Sequence, residues 1–169
     1  MKLLIATTIA TALLTVPALA DTGASTSATF VDQDGAENGS ATLTQVNAGV
    51  LIELDLRNLP PESWVAFHIH EDGTCDPADD HDSAGGHYTA TGAAHGFLAD
   101  GGPHEGDMPN QYVPADGMLR AQVLNTFVTL DGGDAAVRGR SLMIHADPDD
   151  YESQPAGDAG ARIACAVID

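Results

Sequence analysis

The feature that most constrains the fold is a stretch of about 44 residues, positions 71–114, with neither strand nor helix periodicity. It is rich in Gly, Asp, Pro and His, and a loop of this length in a compact domain is uncommon unless it is functional. Around it, short β-rich stretches alternate with turn sequences such as Asp34-Gly35. The pattern predicts an all-β domain, a sandwich or closed barrel, with two long loops at 71–114 and 147–161. We predict eight strands: Ala28–Val31, Ala41–Val46, Val50–Leu56, Trp64–His70, Met118–Val123, Thr126–Leu130, Ser141–His145 and Ile163–Ile168.

Histidines are concentrated where the long loops meet the strands. His68 and His70 are two residues apart, so both side chains leave the same face of a strand, and His145 ends another strand. With His87 they form four imidazoles without a thiolate, a donor set that suits Cu(II). A second set suits a closed tetrahedral zinc site, because it combines three imidazoles with a carboxylate: His87, His95, His104 and Asp107. His81 is the histidine left over, and we predict that it is solvated.

The first twenty residues have the composition of a secretory signal peptide. Met1-Lys2 gives a positive start, positions 3–16 are largely apolar, and Ala18-Leu19-Ala20 has the pattern that a signal peptidase accepts. A membrane anchor would need about 20 apolar residues, more than this segment has. We therefore predict a signal peptide at 1–20, one mature domain at 21–169, and a periplasmic or secreted location.

Two cysteines, Cys75 and Cys165, remain in the mature chain. In an exported protein a disulfide is the default, and closing a loop of about 90 residues would stabilise the fold by about 4–5 kcal/mol. The alternative is a pair of metal-ligand thiolates, but Cys75 has no C-x-x-C partner and Cys165 has no nearby histidine. The compartment and the spacing favour the disulfide.

The charge of the chain excludes two classes of partner. Without Lys2, the only lysine, five arginines face 25 acidic side chains, a formal net charge of −20. Nucleic-acid binding needs basic patches, and none is present in the sequence. Attraction to anionic lipid is excluded for the same reason, so no membrane partner is expected after signal cleavage. The sequence leaves a homodimer open.

Five segments carry a resemblance to a known family: Phe67-His68-Ile69-His70-Glu71, Ala84-Gly85-Gly86-His87, His104-Glu105-Gly106-Asp107-Met108-Pro109, Leu142-Met143-Ile144-His145-Ala146 and Gly160-Ala161-Arg162-Ile163-Ala164-Cys165. The mature chain resembles the bacterial copper–zinc superoxide dismutases over nearly its whole length. This resemblance implies an eight-stranded Greek-key β-barrel. It also implies an enzyme that converts superoxide to dioxygen and hydrogen peroxide by alternating Cu(II) and Cu(I).

The resemblance also implies roles for individual residues. His87 would bridge the metals, release copper in the reduced state and return a proton to the developing peroxide, while Arg162 would guide the anion. Asp149 would accept hydrogen bonds from His68 and His95 and so link the sites. Cys75–Cys165 would be the intrasubunit disulfide. The implied ligands are His68, His70, His87 and His145 for copper, and His87, His95, His104 and Asp107 for zinc.

The chain departs from the family's pattern in the loop after His145. Positions 147–161 contain five acidic residues and no basic one, and Cys165-Ala166 replaces the usual Cys-Gly. Well-steered members of the family use lysines in this loop to attract the anion. We therefore predict that the activity depends weakly on salt, or rises as salt screens the repulsion.

Three other functions fit the sequence less well. A dismutase-like protein that only stores copper or zinc would lack a copper ligand or Arg162, and neither is missing. An electron-transfer cupredoxin would need a cysteine ligand with a histidine and a methionine close by, and Cys165 is followed by neither. A copper-only relative would lack the zinc set.

Overall fold

A computed structural model describes residues 22–169, in which nearly all of the regular structure is β. The predicted signal peptide, 1–20, lies outside the described residues. Within them, no helix has the length and apolar character needed to cross a membrane. Two short 3-10 turns occupy Pro77–Asp79 and Asp82–Ala84. The strands are β1 Ser25–Asp32, β2 Glu37–Val46, β3 Gly49–Leu56, β4 Ser63–Val65, β5 Phe67–His70, β6 Gln111–Val113, β7 Leu119–Asn125, β8 Ser141–His145 and β9 Arg162–Val167.

Seven of these strands form one curled antiparallel sheet in the order β5-β8-β9-β1-β2-β3-β7. Strands β4 and β6 form a second, two-stranded sheet. Neighbours such as β3 and β7, or β5 and β8, are far apart in sequence, so long connections cross between them. The prediction of an all-β fold is confirmed.

The core follows from the alternation within the strands. In the β2–β3 pair, Leu43 lies opposite Ile52, and both are fully buried, as is Phe30 on β1. Intervening residues such as Thr42 and Glu53 are exposed. Each fully buried large apolar side chain contributes about 1.5–3 kcal/mol relative to an exposed one. This core supports the sheet whose β5, β8 and β9 carry candidate site residues.

Most predicted strand ends differ from the structure by one to four residues, and only Ser141–His145 matches at both ends. Two differences go further. The predicted strand Trp64–His70 is divided at Ala66, whose amide donates to Asp147 O and whose carbonyl accepts from His145 N. The stretch 71–114 was predicted to contain no strand, but Gln111–Val113 pairs with Ser63–Val65. Three residues are too few to show a period in the sequence.

The predicted strand Thr126–Leu130 is wrong. The alternation of apolar and polar residues in this segment correctly predicts that Val128 and Leu130 lie in the core. Its backbone hydrogen bonds, however, go to side chains and to a nearby loop: Phe127 N donates to Asn125 Oδ1, Leu130 N to Gln45 Oε1, and Thr129 N to Ala135 O. Val128 and Leu130 are therefore buried and Phe127 is exposed, but the segment forms only an isolated bridge, from Thr129 to Ala136, instead of a ladder.

The two cysteines form a disulfide, as predicted. Cys75 and Cys165 have Cα atoms 5.6 Å apart and are separated by 90 residues. Cys165 lies on β9 and Cys75 in the long loop, so the bond attaches the start of that loop to the sheet. The alternative of two metal-ligand thiolates is excluded by this pairing.

Candidate metal centre

The long loop reaches strand β5 through main-chain hydrogen bonds. Tyr88 N donates to Ile69 O at 2.8 Å, and Ile69 N donates to Gly106 O at 2.9 Å. A Cβ on Gly106 would lie only 2.4 Å from Ile69 O, so no side chain fits at this position. The loop thus runs beside β5 in two places, although it has no strand pattern of its own.

This pairing brings the loop ligands to the strand histidines. Isolated antiparallel bridges join His70 to His87 and His68 to Asp107. His145 ends β8, the strand that pairs with β5. Four histidines therefore have ring nitrogens within 4.8 Å of one another, and all four side chains are buried: His68, His70, His87 and His145.

Three of these rings are oriented by a hydrogen bond at one nitrogen: His68 Nε2 to Asp149 Oδ2 at 2.9 Å, His70 Nδ1 to Gly85 O at 2.9 Å, and His145 Nδ1 to Gly160 O at 3.3 Å. The acceptor assigns the proton to that nitrogen, so the other nitrogen carries a lone pair in the neutral ring. Burial holds the pKa of His70 well below its usual value and that of His145 at about 3. All three rings therefore present lone pairs at neutral pH.

The ring nitrogens of these four histidines that face one another cannot hydrogen-bond to each other. His70 Nε2 and His145 Nε2 face each other at 3.3 Å, and two lone pairs cannot bond without a cation between them. His68 Nδ1 and His87 Nε2 are buried without any hydrogen-bond partner. Buried unpaired nitrogens are costly, and a soft or borderline cation bound by four imidazoles would satisfy all of them. The cluster fits copper.

The second cluster surrounds one carboxylate oxygen. Asp107 Oδ1 lies 3.0 Å from His87 Nδ1, 3.0 Å from His95 Nδ1 and 3.4 Å from His104 Nδ1. Asp107 Oδ2 accepts from the backbone amides of Gly96 and His104, which fixes the carboxylate. Burial opposes the charge, but the histidine hydrogen bonds outweigh it and hold the pKa of Asp107 far below its usual range. Three imidazoles and a permanent carboxylate fit zinc.

Asp149 connects the two clusters from behind. Its Oδ2 accepts from His68 Nε2 at 2.9 Å, and its Oδ1 accepts from His95 Nε2 at 3.0 Å. The carboxylate is buried, and the two histidine hydrogen bonds overcome that burial to lower its pKa. Burial lowers the pKa of His95, but its bonds to Asp107 and Asp149 raise it to about 9. His68 and His95 thus share one fixed anion, which defines the orientation of both rings.

Arg162 lies at the start of β9 and lines the cavity above the first cluster. The cavity has a volume of about 480 Å³, and His70, His87 and His145 also line it. The guanidinium donates from Nη1 to His81 O at 2.7 Å and from Nη2 to Gly85 O at 2.9 Å. Main-chain acceptors therefore fix this cation beside the four imidazoles.

Comparison with known proteins agrees with this geometry. The family model described as copper/zinc superoxide dismutase (SODC) matches residues 37–168. The chain belongs to this family. It is 51% identical to superoxide dismutase [Cu-Zn] 1 of Aquifex aeolicus (strain VF5) over 147 residues, 85% of this chain and 86% of the relative. It is 41% identical to a superoxide dismutase [Cu-Zn] of Caulobacter vibrioides, over 80% of each chain.

Solved structures of the family have the same fold. A SOD-like protein from Bacillus subtilis superposes with a TM-score of 0.80 at 31% identity, covering 84% of this chain and 97% of that protein. The Cu/Zn superoxide dismutase from Brucella abortus superposes with a TM-score of 0.71 at 30% identity, covering 86% and 100%. The family resemblance read from the sequence is confirmed, and with it the implied pair of metals, copper and zinc.

Sequence reasoning missed the residues that position this dismutase-family site. Asn110 makes a two-point contact with the backbone of Asp149: Asp149 N donates to Asn110 Oδ1, and Asn110 Nδ2 donates to Asp149 O, both at 2.8 Å. Gln154 does the same for His95, at 3.0 and 2.8 Å. The only signal for Asn110 is its place three residues after Asp107, and Gln154 has none.

His81 contradicts its prediction. It was expected to be solvated, but its side chain is fully buried, and neither ring nitrogen has a hydrogen-bond partner. The prediction rested on the acidic neighbours Asp80 and Asp82, which are exposed. Their exposure says nothing about His81, because the backbone turns sharply between them: His81 has φ 62°.

Proposed function

We propose that this protein is a copper–zinc superoxide dismutase, with copper held by His68, His70, His87 and His145 and zinc by His87, His95, His104 and Asp107. The observation that carries the proposal is the pair of donor clusters sharing His87, with their buried, unpartnered nitrogens. The curated relatives named above carry the same activity in their names.

Copper, when bound, supplies one-electron chemistry between Cu(II) and Cu(I), so that one superoxide is oxidised to dioxygen and another is reduced to hydrogen peroxide. Arg162 receives the anion, because its guanidinium is a permanent cation held at the cavity wall. Its planar donor fork leaves donors free after two of them engage the main chain. Asp149 keeps the rings of His68 and His95 in fixed tautomers, so these two rings need little reorganisation.

Peroxide needs protons, and His87 is the residue placed to deliver one. Its Nδ1 faces the carboxylate of Asp107, while its Nε2 lies in the copper set. We propose that Nε2 would hold one proton and pass it to the developing peroxide, and that solvent in the cavity lined by His87 would supply the second. Burial lowers the pKa of His87 to about 4, so the resting ring is neutral and its Nε2 offers a lone pair on the copper side.

We further propose that residues 1–20 are a signal peptide and that the enzyme works in the periplasm or outside the cell. A disulfide between Cys75 and Cys165 supports this location, because such bonds persist in oxidising compartments. Mass spectrometry of the N-terminus of the exported protein tests it, and a chain that still begins at Met1 would contradict it.

The function is tested by metal analysis and a superoxide assay on the wild type, His145→Ala and His104→Ala. We expect His145→Ala to lose copper and activity while keeping zinc, because His145 belongs to one cluster only. His104→Ala is the matched control at the other cluster and should lose zinc first. A wild type that binds both metals without turnover would identify a storage protein instead, and full activity in His145→Ala would refute the assignment.

A further inference from the structure

A single short turn holds the guanidinium of Arg162. Its two main-chain acceptors, His81 O and Gly85 O, flank the 3-10 turn Asp82–Ala84, which fixes their spacing. Gly85 O also accepts from His70 Nδ1 at 2.9 Å. The same turn therefore orients the arginine and one imidazole of the copper set, so any shift of the turn moves both.

The backbone that begins this turn is in an unfavourable conformation. Asp80 has φ 55° and ψ 31°, and His81 has φ 62° and ψ 19°, so both are left-handed. That region crowds the Cβ of every residue except glycine, and two such residues in succession are uncommon. The side chain of His81 does not cap the turn that follows, but Ser83 N donates to Asp79 Oδ2 at 3.1 Å and His81 N donates to Asp76 O at 2.9 Å. A buried contact adds to these two bonds.

The ring of His81 supplies that contact. It is fully buried, and both of its nitrogens lack hydrogen-bond partners. Burial lowers its pKa, so the ring is neutral. It does not belong to either metal cluster. A buried histidine that lies outside both metal clusters and has no well-formed hydrogen bond acts mainly through its packing, here by filling the space between the turn and the nearby backbone of Asp32.

We propose that His81 is a positioning residue for Arg162: its buried ring anchors the left-handed turn whose carbonyls hold the guanidinium. The inference rests on the proposed dismutase function, in which Arg162 receives superoxide. In this role the side chain of His81 neither transfers a proton nor binds a metal.

Three substitutions at one position separate the possible roles of the ring. His81→Ala removes the ring and keeps the strain of a Cβ at positive φ, so the turn should relax and release Arg162. His81→Gly removes both ring and strain, so the effect should be smaller. His81→Phe keeps a buried ring without the unpartnered nitrogens and should retain the wild-type behaviour. Glu62→Gly is the control, since Glu62 is exposed and also has positive φ, 55°, outside the site.

The first readout does not depend on activity. In ¹H–¹⁵N spectra of the protein loaded with zinc alone, the Nη protons of Arg162 should be resolved in the wild type and in His81→Phe. They should average by rotation in His81→Ala, as we expect for the exposed Arg120, and Arg162→Lys assigns the signal. Unchanged Arg162 signals in a folded His81→Ala would overturn the proposal.

The second readout is a double-mutant cycle on kcat/KM for superoxide, with metal content matched. We expect His81→Ala to lower kcat/KM by about tenfold, the scale of one hydrogen bond to a charged group, and to have no further effect in an Arg162→Ala background. Equal losses in both backgrounds would show that the ring acts on general packing and would refute the proposal. An inactive wild type carrying both metals would reject the dismutase function, while the spectra would still decide the role of His81.

Discussion

Asp149→Asn should weaken the binding of one of the two metals, because Asp149 accepts a hydrogen bond from one ring of each cluster. The carboxylate accepts from His68 Nε2 at 2.9 Å and from His95 Nε2 at 3.0 Å, and all three side chains are buried. Asparagine offers one oxygen and one NH₂ group. One ring N–H would therefore face a donor, and that ring would have to rotate or change its tautomer, which removes the lone pair from the metal side.

The magnitude follows from the number of bonds lost. One hydrogen bond to a charged group is worth about 1.5–3 kcal/mol, so the affinity for one metal should fall by about 10–100-fold, the range found for outer partners of metal ligands. Asp149→Ala removes both acceptors and should weaken both metals. The backbone of Asp149 should stay in place, because Asn110 holds its amide and its carbonyl.

The assay is a competition titration with a chelator, measured for copper and zinc separately. Asp150→Asn is the matched control: Asp150 is the next residue, it is exposed, and its carboxylate accepts from Glu152 and Ser153 rather than from a histidine. We expect the control to bind both metals as the wild type does. If Asp149→Asn binds copper and zinc with affinities within twofold of the wild type, the hydrogen bonds that link the clusters do not stabilise metal binding, and the reasoning fails.

Three further predictions follow from the same structure. First, kcat/KM should stay level or rise between low and moderate salt, because Asp158 lines the cavity beside Arg162 and the loop 147–161 has no cation; a steep fall would contradict this. Second, Gly106→Ala should cost about 3 kcal/mol in urea unfolding and lower zinc content, because its Cβ meets Ile69 O, whereas Gly86→Ala has room and should change stability little. Third, the metal-free protein should lose stability as pH falls from about 6.5 to 4. Burial depresses the pKa of His87 to about 4 and that of His145 to about 3, so the unfolded chain binds more protons there, and each group contributes about 1.4 kcal/mol per pH unit. His95, with its pKa raised to about 9, contributes a slope only above pH 6.5, where its stabilisation is lost as pH rises. Equal urea midpoints at pH 7 and 5 would refute this last expectation.

Local sequence patterns were enough to predict the class of fold and the identity of the donor sets. Strand alternation depends on neighbouring residues, so most of the β-strands could be predicted to within a few residues, and the family and the disulfide were confirmed. Donor chemistry is equally local: His68 and His70 share a face because they are two residues apart on β5. The roles proposed for individual ligands stay predictions, as does the signal peptide at 1–20.

The contacts that hold those donors in place form only in the folded chain. Alternation at Thr126–Leu130 reported burial but not pairing, because a strand also needs a partner at the right distance. The contacts of Asn110 with Asp149 and of Arg162 with His81 join positions 39 and 81 residues apart. No local pattern encodes such contacts, and the burial of His81 between two exposed aspartates depends on a turn that sequence periodicity does not report. The metal ligands could be predicted from the sequence because donor chemistry belongs to single side chains. Their positioning could not, because it depends on segments that meet only in the folded chain.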